Sequence, residues 1–177
     1  MTRYVAEALA DWESGTALPF ATIARQDDQV VGSTRFGNIQ FWRRSEESRS
    51  LSPHPDAVEI GWTWLADHAQ RTGINREAKL LMLTIAFETW GVHRVSFRAD
   101  SRNEQSRIAI EKLGAKLDGV IRADKIGHDG AIRDTATYSI LRSEWDGVKS
   151  NLTKLVYRSI SHRMTQVRSQ TKHSRSH

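Results

Sequence analysis

The stretch QRTGINREAKLLML, residues Gln70 to Leu83, places a single glycine directly before the most regular helical pattern of the chain. Apolar side chains recur at helical spacing from Asn75 to Trp90, and Gly91 is a suitable end for that helix. The preceding segment AVEIGWTWL is rich in β-branched and aromatic residues, as strands are. The sequence therefore predicts a strand, a tight corner at Gly73 and a helix.

A corner of this kind has the chemistry to hold an anion. The first turn of a helix carries unpaired backbone N–H groups and the positive end of the helix dipole. Gly73 has no side chain, so a ligand can approach the backbone closely and unusual dihedral angles cost little. Strand, glycine corner and helix start together suit a phosphate or pyrophosphate. A turn that only begins a helix would also use a glycine here, so the corner alone leaves both interpretations open.

The other segments predict a mixed order of helices and strands. Helical spacing predicts a first helix over residues 3–14, with apolar side chains at Tyr4, Val5, Leu9 and Trp12. The further β-type runs are PFATIARQ (19–26), QVVGSTRFGNIQFW (29–42), VHRVSFRA (92–99), KLDGVIRADKIG (116–127) and AIRDTATYSILR (131–142). The segment NEQSRIAIEKLGA predicts another helix, with Ile108, Ala109 and Leu113 facing inward. The order α-β-β-β-α-β-α-β-β predicts an α+β fold around a mostly antiparallel sheet.

Composition places the chain among single-domain globular proteins. Its 177 residues are 38% hydrophobic, which is enough for one core. The absence of cysteine excludes disulfides, thiolate metal sites and a cysteine nucleophile. No apolar run approaches the roughly 20 residues that span a bilayer, and the first residues do not resemble a signal peptide. We therefore expect a cytoplasmic protein without membrane contact.

Positive charge is concentrated at the C-terminal end of the chain. The net charge is +5, yet six basic and no acidic residues follow Asn151, so the remainder carries −1. We expect residues 1–150 to form the domain and 151–177 a basic tail, with a helix over 152–167 and disorder over 168–177. Clustered positive charge suits RNA, but a solvated extension is the plainer interpretation and the one we favour.

Several ordered motifs between Val30 and Trp145 resemble the GNAT superfamily of N-acetyltransferases. The family signature, Gln/Arg-x-x-Gly-x-Gly/Ala between a strand and a helix, corresponds here to the residues from Gln70 to Asn75. Asn75 departs from the third signature position. Asn is common there in the branch of ribosomal-protein N-terminal acetyltransferases (the RimJ/RimL type), which GIN-x-EAKLLML, NEQSRIAIEKLGA and GAIRDTATYSIL also resemble. The resemblance implies a GNAT-type mixed sheet flanked by helices, with acetyl-CoA as co-substrate.

The resemblance also implies which residues bind acetyl-CoA. Backbone N–H groups from Arg71 to Asn75 would hold the pyrophosphate, and an N–H near Trp64 or Leu65 would polarise the thioester carbonyl. The implied cofactor-binding residues are Trp64, Leu65, Gln70, Arg71, Thr72, Gly73, Ile74, Asn75, Asn103 and Ser106. Four arginines could reach an outer phosphate or simply face solvent, and these are Arg71, Arg76, Arg102 and Arg107.

Acetyl transfer needs a neutral amine, so the site needs a proton acceptor. Glu59 lies eleven residues before Gln70, the spacing at which histone-acetylating members carry a glutamate base, but it could equally face solvent or pair with an arginine. Ile110 stands where the family often has a tyrosine acid, and its side chain has no proton to donate. Either the thiolate leaves without strong help, or Ser106 or Tyr138 donates the proton. Tyr138 is better explained as a core residue or a wall of the substrate site.

Other chemistries lack their motifs. We expect no metal, because no ligand spacing connects the histidines His54, His68, His93 and His128. Neither a Gly-x-Ser-x-Gly elbow nor a Gly-x-x-x-x-Gly-Lys loop occurs, which argues against hydrolases and P-loop proteins. Trp62 and Trp64 alternate onto one face of their strand, where we favour core packing over lining an acceptor pocket.

Family members usually begin with a strand and a helix before the helix placed here at 3–14, and this sequence begins without them. That predicts an exposed sheet edge and a less defined acceptor pocket. A truncated start, a partner chain that fills the gap, such as a second copy in a homodimer, and a reduced enzyme are the alternatives. We expect an acetyl-CoA-dependent N-acetyltransferase in which the amine attacks the thioester directly. On the branch resemblance, its acceptor is a protein N-terminal amine rather than a small amine or a lysine. The alternative is a catalytically weak CoA-binding or interaction module with an RNA- or partner-binding tail.

Overall fold

A computed structural model of the protein describes residues 2–42, 53–127 and 129–158. Helices and strands follow the predicted order, and the last helix includes the first part of the helix predicted over 152–167. The elements are α1 (Thr2–Glu13), β1 (Leu18–Ala24), β2 (Gln29–Gln40), β3 (Ala57–Leu65), α2 (Ile74–Thr84), β4 (Arg94–Asp100), α3 (Glu104–Glu111), β5 (Lys116–Ile126), β6 (Ile132–Leu141) and α4 (145–158). Short helical turns precede α2 and α4, and a π-helical turn, Ile85–Thr89, extends α2.

Six strands form one sheet in the order β1-β2-β3-β4-β6-β5. Every neighbouring pair is antiparallel except β3 and β4, which are parallel and joined through α2. A parallel pair needs a crossover connection of this kind, whereas the antiparallel pairs β1–β2 and β5–β6 are joined by short turns. The predicted α+β fold with a mostly antiparallel sheet is confirmed. In the described part of the chain β1 forms one edge of that sheet.

The parallel pairing of β3 and β4 is short. Only Ala57, Val58 and Glu59 pair, with Arg94, Val95 and Ser96 respectively. Both strands then continue, β3 to Leu65 and β4 to Asp100, without further pairing between them. The middle of the sheet therefore opens on one side of Glu59, and the backbone groups of β3 that face β4 there have no ladder partner.

The core lies where α2, α3 and α4 pack against the central strands. It includes Phe36, Val58, Ile60, Met82, Leu83, Val95, Phe97, Ile110, Leu113, Tyr138, Ile140 and Leu152. Helix α4 is fixed by Leu152 and Val156, which are 1% and 6% exposed. The first eight residues of the predicted basic tail therefore pack onto the domain. Residues 159–177, where the rest of the predicted helix and the predicted disorder fall, lie outside the described residues.

The faces of α1 and α3 differ from the prediction. Val5, Leu9 and Trp12 are exposed, and α1 instead reaches the sheet through the small Ala8 and polar contacts. In α3 the buried side chain is Ile110, while Ile108 is 40% exposed. Two residues turn a helix by about 200°, so Ile108 and Ile110 cannot share a face. Ala109 is also exposed, and Leu113 is buried as predicted.

No helix among the described residues is both long enough and apolar enough to cross a membrane.

Candidate active site

A cavity of about 630 Å³ occupies the opening between β3 and β4. Its strand walls are Ile60 to Thr63 on β3 and Phe97 to Asp100 on β4. Helices close the rest: Asn75 and Lys79 of α2 on one side, and on the other Asn103, Ser106, Ala109, Ile110 and Leu113 of α3 and its flanking residues. This volume falls within the range of small-molecule sites, about 300–1,000 Å³. The short pairing of β3 and β4 thus creates a site for a ligand within the sheet.

A β-bulge shapes the strand wall of the cavity. Ser33 and Arg35 of β2 pair with Trp64 and Gly61 of β3, so β3 has one extra residue between the pairs. Trp62 in this bulge has a left-handed backbone, with φ 49°. Its indole covers Gly37, where any Cβ would lie 2.6 Å from the ring, and Arg35 lies over the same ring at 5.4 Å.

The bulge explains why the two tryptophans do not pack in the core. Trp62 is 48% exposed, and Trp64 is half-buried with its ring edge-on to Tyr4 at 6.5 Å. Neither residue belongs to the buried core, so the prediction of core packing is wrong. Simple alternation along a strand does not hold across an inserted residue.

The glycine corner at the start of α2 is as tight as the sequence predicts. Gly73 caps the helix with φ 93° and ψ −12°, and Arg71 also has a left-handed backbone, φ 60°. A backbone in which left-handed residues alternate with other residues points successive N–H groups to one concave side, and such a concave side binds anions. The Thr72 hydroxyl donates to Ala69 O at 2.6 Å, and the Gln70 amide donates to Leu65 O at 3.1 Å. These bonds tie the side chains back into the loop.

A second small hydrophobic cluster anchors this corner to the sheet. Ala69 is buried with Ala24 and Val31 of the first hairpin, and Leu65 and Ile74 pack against them. Because residues on both sides of Gly73 are held by β1 and β2, the first turn of α2 is fixed relative to the end of β3.

The structure brings only some of the predicted cofactor-binding residues to the cavity. Asn75, Asn103 and Ser106 line it. The remaining predicted residues do not line the cavity. They lie at the end of β3 and in the corner that leads to Asn75, and they are Trp64, Leu65, Gln70, Arg71, Thr72, Gly73 and Ile74. Trp64 and Leu65 pair with Ser33 and Gly32 of β2. The predicted set therefore forms a path from the corner into the cavity.

Asn103 and Ser106 are joined by the cap of α3. Asn103 Oδ1 accepts a hydrogen bond from the Ser106 backbone N–H at 2.9 Å, which satisfies one free donor of the helix start. The Asn103 amide NH₂ and the Ser106 hydroxyl remain as polar groups on the cavity wall. The residues present thus offer donors at both helix starts with an apolar wall between them, which fits a ligand with a phosphate end and a less polar arm.

Glu59 is the acidic residue closest to the point where β3 and β4 separate. It is 7% exposed, and its Oε1 lies 3.4 Å from where a Cβ on Gly61, a cavity residue, would stand. Burial raises the pKa of Glu59, and the charges of Arg98 and Lys125 and a hydrogen bond from Asn38 partly oppose that shift. Solvent exposure, the plain alternative for Glu59, is ruled out.

The candidate acids have different surroundings. Ile110 is 8% exposed and forms part of the cavity wall, so no proton can come from that position. Tyr138 is fully buried. Its hydroxyl donates a hydrogen bond to Glu111 Oε1 at 3.0 Å and accepts one from Arg107 Nε at 2.9 Å. Tyr138 is thus a core residue and does not line the cavity. Ser106 remains as a hydroxyl on its wall.

Arg102 and Arg107, two of the four candidate arginines, are hydrogen-bonded to groups of the protein. Arg102 lines the cavity but bonds to Asp100 and Asp129, both at carboxylate oxygens 2.8–2.9 Å away. The Arg107 guanidinium donates to Tyr138 and to Ser101 O. Arg71 and Arg76 are exposed or half-buried around the glycine corner, nearer to where an anion would bind.

Lys79 is a site residue that the sequence analysis missed. It is 4% exposed on the cavity wall, and its Nζ donates to the hydroxyls of Thr34 and Thr63, each at 2.6 Å. Burial lowers the pKa of Lys79 to about 7. A signal was present, because Lys79 stands three, four and seven residues before Met82, Leu83 and Ala86, the buried face of α2.

Within residues 2–42, 53–127 and 129–158, no three His, Cys, Asp or Glu side chains come together as metal ligands.

Known proteins resemble the chain in sequence. Residues 1–116 match the family model described as "Acetyltransferase (GNAT) domain". A curated protein of Bacillus subtilis (strain 168) named "Putative ribosomal N-acetyltransferase YdaF" is 36% identical over 92 residues, 52% of this chain and 49% of that protein. The chain thus spans about half the length of this relative.

Solved structures resemble it in fold. A GCN5-related N-acetyltransferase from Brucella melitensis has a TM-score of 0.68 and 25% identity, over 84% of this chain and 63% of the other. Mycobacterium smegmatis RimJ, solved in complex with CoA-disulfide, has a TM-score of 0.69 and 22% identity, over 87% and 67%. Since the family model covers more than half of the residues, the chain belongs to the GNAT family of acetyltransferase domains.

Proposed function

We propose that this protein transfers the acetyl group of acetyl-CoA to a primary amine. The observation that carries the proposal is the cavity that opens where β3 and β4 part, directly beyond Glu59, and leads to Asn75 at the start of α2. Membership of the GNAT family supports the same activity. The thioester supplies an activated acetyl group, and the protein's part is to position it and to move protons.

The glycine corner would hold the pyrophosphate of CoA. The left-handed Arg71 and Gly73 and the helix dipole of α2 offer backbone donors and positive potential there. The pantetheine arm would lie along the unpaired side of β3, in the place that a paired strand would take. Asn103 and Ser106 would contact it from α3. An N–H of β3 near Trp64 or Leu65 would stabilise negative charge on the carbonyl oxygen.

Glu59 would accept the proton of the attacking amine. An α-amine has a pKa of about 7.7–8.0 and is mostly charged at neutral pH, so it must lose a proton before it attacks. Burial raises the pKa of Glu59, which makes its carboxylate a better base. Transfer through one water molecule would serve, because Glu59 lies beside Gly61 rather than inside the cavity.

The acceptor we propose is the α-amine at a protein N-terminus. The support is the name of the B. subtilis relative, "Putative ribosomal N-acetyltransferase YdaF". A small amine and a lysine side chain are the competing acceptors.

Thiol release from acetyl-CoA with a panel of peptide N-termini, peptide lysines and small amines tests the activity and the acceptor together. We expect release to depend on an amine and to be fastest with peptides that have a free N-terminus. Binding of acetyl-CoA without release for any amine would instead support a catalytically weak CoA-binding module.

The glycine corner has its own test in Gly73→Ala. A non-glycine residue with a left-handed backbone costs about 1–2 kcal/mol, and a side chain at this corner limits the close approach of a ligand to the backbone. Gly15→Ala is the matched control, since Gly15 has φ 71° and open space around its Cβ position, at the far end of α1. We expect calorimetry to show at least tenfold weaker acetyl-CoA binding for Gly73→Ala only. Equal binding by both variants would exclude the corner as the pyrophosphate site.

A further inference from the structure

The acetyl-transfer scheme above leaves the buried amine of Lys79 without a role. Among the described residues no carboxylate pairs with it, and its Nζ contacts only the Thr34 and Thr63 hydroxyls within hydrogen-bond distance. Burying a lysine beside neutral groups costs stability, and an apolar side chain of similar size would avoid that cost. An unpaired buried amine on the wall of a cavity is therefore better explained by function than by stability.

Thr63 connects this amine to the cavity. Its side chain is exposed and lines the cavity, and its Oγ1 lies 2.6 Å from Lys79 Nζ. Thr34 bonds to the same amine at the same distance, but it is 3% exposed and does not line the cavity. A hydroxyl can accept one proton while it donates its own. Thr63 can therefore pass a proton between Lys79 and a ligand in the cavity. Thr34, whose hydroxyl lies 3.0 Å from that of Thr63, reaches the cavity only through Thr63.

We propose that Lys79 supplies the proton for the departing thiolate, acting through the hydroxyl of Thr63. This inference rests on the proposed function, since the thiolate arises only if a thioester reacts in the cavity. Lys79 and Thr63 would then fill the role of the proton donor that Ile110 cannot provide on the α3 wall.

The step balances in atoms and charge. The amine nitrogen bonds to the carbonyl carbon, the C–S bond breaks, and the sulfur keeps the electron pair of that bond. Thr63 gives its hydroxyl proton to the sulfur and takes one from the Lys79 ammonium, which becomes a neutral amine. The proton that the acceptor amine loses passes by way of Glu59 to solvent, and Lys79 regains a proton from solvent after the thiol leaves.

The pKa of Lys79 suits this direction of transfer. An ordinary lysine, with a pKa of about 10.4, would hold its proton against a thiolate whose conjugate thiol has a pKa of about 8.5. Burial lowers the pKa of Lys79 to about 7, so the proton moves downhill to sulfur. Burial is the only cause of that shift, and none of the charged groups on the neighbouring elements contributes to it, namely Arg35, Glu59, Arg98, Asp100, Arg102 and Arg133.

The test compares four variants in thiol release and in acetyl-CoA calorimetry. Lys79→Met removes the amine but keeps the length of the side chain, and Lys112→Met is its control at an exposed lysine. Thr63→Val removes the connecting hydroxyl, and Thr34→Val removes the other partner of the amine. We expect kcat to fall at least about tenfold in Lys79→Met and Thr63→Val, with acetyl-CoA affinity within about threefold of wild type. Thr34→Val and Lys112→Met should stay within about threefold in both measurements.

The pH profile separates proton donation from support of the fold. In the wild type we expect kcat to decline on the alkaline side as Lys79 loses its proton, and this decline should be absent in Lys79→Met. Equal losses in Thr63→Val and Thr34→Val, or an unchanged profile in Lys79→Met, would overturn the inference while the acetyltransferase activity stands. A wild type that neither binds acetyl-CoA nor releases thiol would instead refute the proposed function. If Lys79→Met does not fold, the comparison of Thr63→Val with Thr34→Val still tests whether a proton passes through Thr63.

Discussion

Glu59 and Lys79 are two buried ionisable residues on either side of the point where the sheet opens, and their surroundings differ. Glu59 lies in the last paired position of β3 and β4, within reach of Arg98, Lys125 and a hydrogen bond from Asn38. Lys79 lies beyond that position, beside two hydroxyls and, among the described residues, without an opposite charge as partner. Burial disfavours the charged form of both, but only Glu59 has partners that oppose the effect.

The difference shows how two buried residues near one opening can serve as a base and as an acid. A carboxylate surrounded by cations keeps much of its charge, so Glu59 can accept a proton. An amine surrounded by hydroxyls holds its proton weakly, so Lys79 can give one away. Two groups whose environments push them towards opposite roles are the usual arrangement for acid–base catalysis.

The largest effect we expect comes from Glu59→Gln, which removes the base but keeps the shape of the side chain. A positioned base contributes about 10²- to 10⁴-fold in rate, so kcat/KM for a peptide amine should fall by at least a hundredfold at pH 7. The variant should not lose stability, because the raised pKa of Glu59 means that its charge costs stability once the pH exceeds that pKa. Thiol release and thermal unfolding measure the two effects. An unchanged rate at all pH values would remove Glu59 from the mechanism.

The next largest effect we expect is on the free energy of unfolding, and it comes from Lys79→Met. Its pKa is lower in the folded protein, about 7, than the ordinary 10.5, so between these values the unfolded chain binds more protons. Stability therefore rises with pH over this window, and below pH 7 the full cost of burying the charge is present. Lys79→Met should unfold with a free energy higher by roughly 4 kcal/mol at pH 7, and its stability should lose the rise between pH 7 and 10.5. A less stable Lys79→Met would mean that the amine supports the fold.

Most of the fold followed from sequence because its signals are local. Strand periodicity, the turns and the glycine corner each depend on a few neighbouring residues, and the order of elements came out as predicted. The faces of the helices did not, since which side of α3 is buried depends on the sheet that Ile110 meets. Trp62 was misplaced because a bulge depends on the register between two strands.

The residues of the candidate site also divide into those with a local sequence signal and those whose role depends on contacts between distant parts of the chain. The residues of the glycine corner are contiguous, so a motif could point to them, and Glu59 was found by its distance from that motif. Lys79 has no motif, and its meaning arises only when Thr34 and Thr63 from two strands meet it. A lysine on the buried face of a predicted amphipathic helix is the pattern that would have shown it.

A smaller effect should follow from Arg98→Gln, which makes the surroundings of Glu59 more like those of Lys79. Arg98 is the strongest of the groups that lower the pKa of Glu59, so its loss moves that pKa upward. The acidic limb of the pH–rate profile should then shift to higher pH, with activity on that limb lower by about two- to fivefold, the worth of a partly exposed charge pair. Arg122→Gln, on the exposed part of β5, is the control. A limb that does not move would indicate that another group titrates there.

The smallest effect we expect is that of Asn38→Gly, which removes the hydrogen bond to Glu59 without removing a charge. Asn38 has a left-handed backbone with φ 45°, so glycine fits the position without strain and the loss is confined to the side chain. The pKa of Glu59 should rise again, by less than in Arg98→Gln, because the hydrogen bond from Asn38 lowers it less than Arg98 does. Activity on the acidic limb should fall about twofold, at the low end of the net worth of one hydrogen bond. Because Lys79 has no charged partner in the described part of the chain and lies beyond the opening, the alkaline limb should not move in this variant. A shift of both limbs would mean that Glu59 and Lys79 titrate as a coupled pair, and the two sides of the opening would then have to be treated as one site.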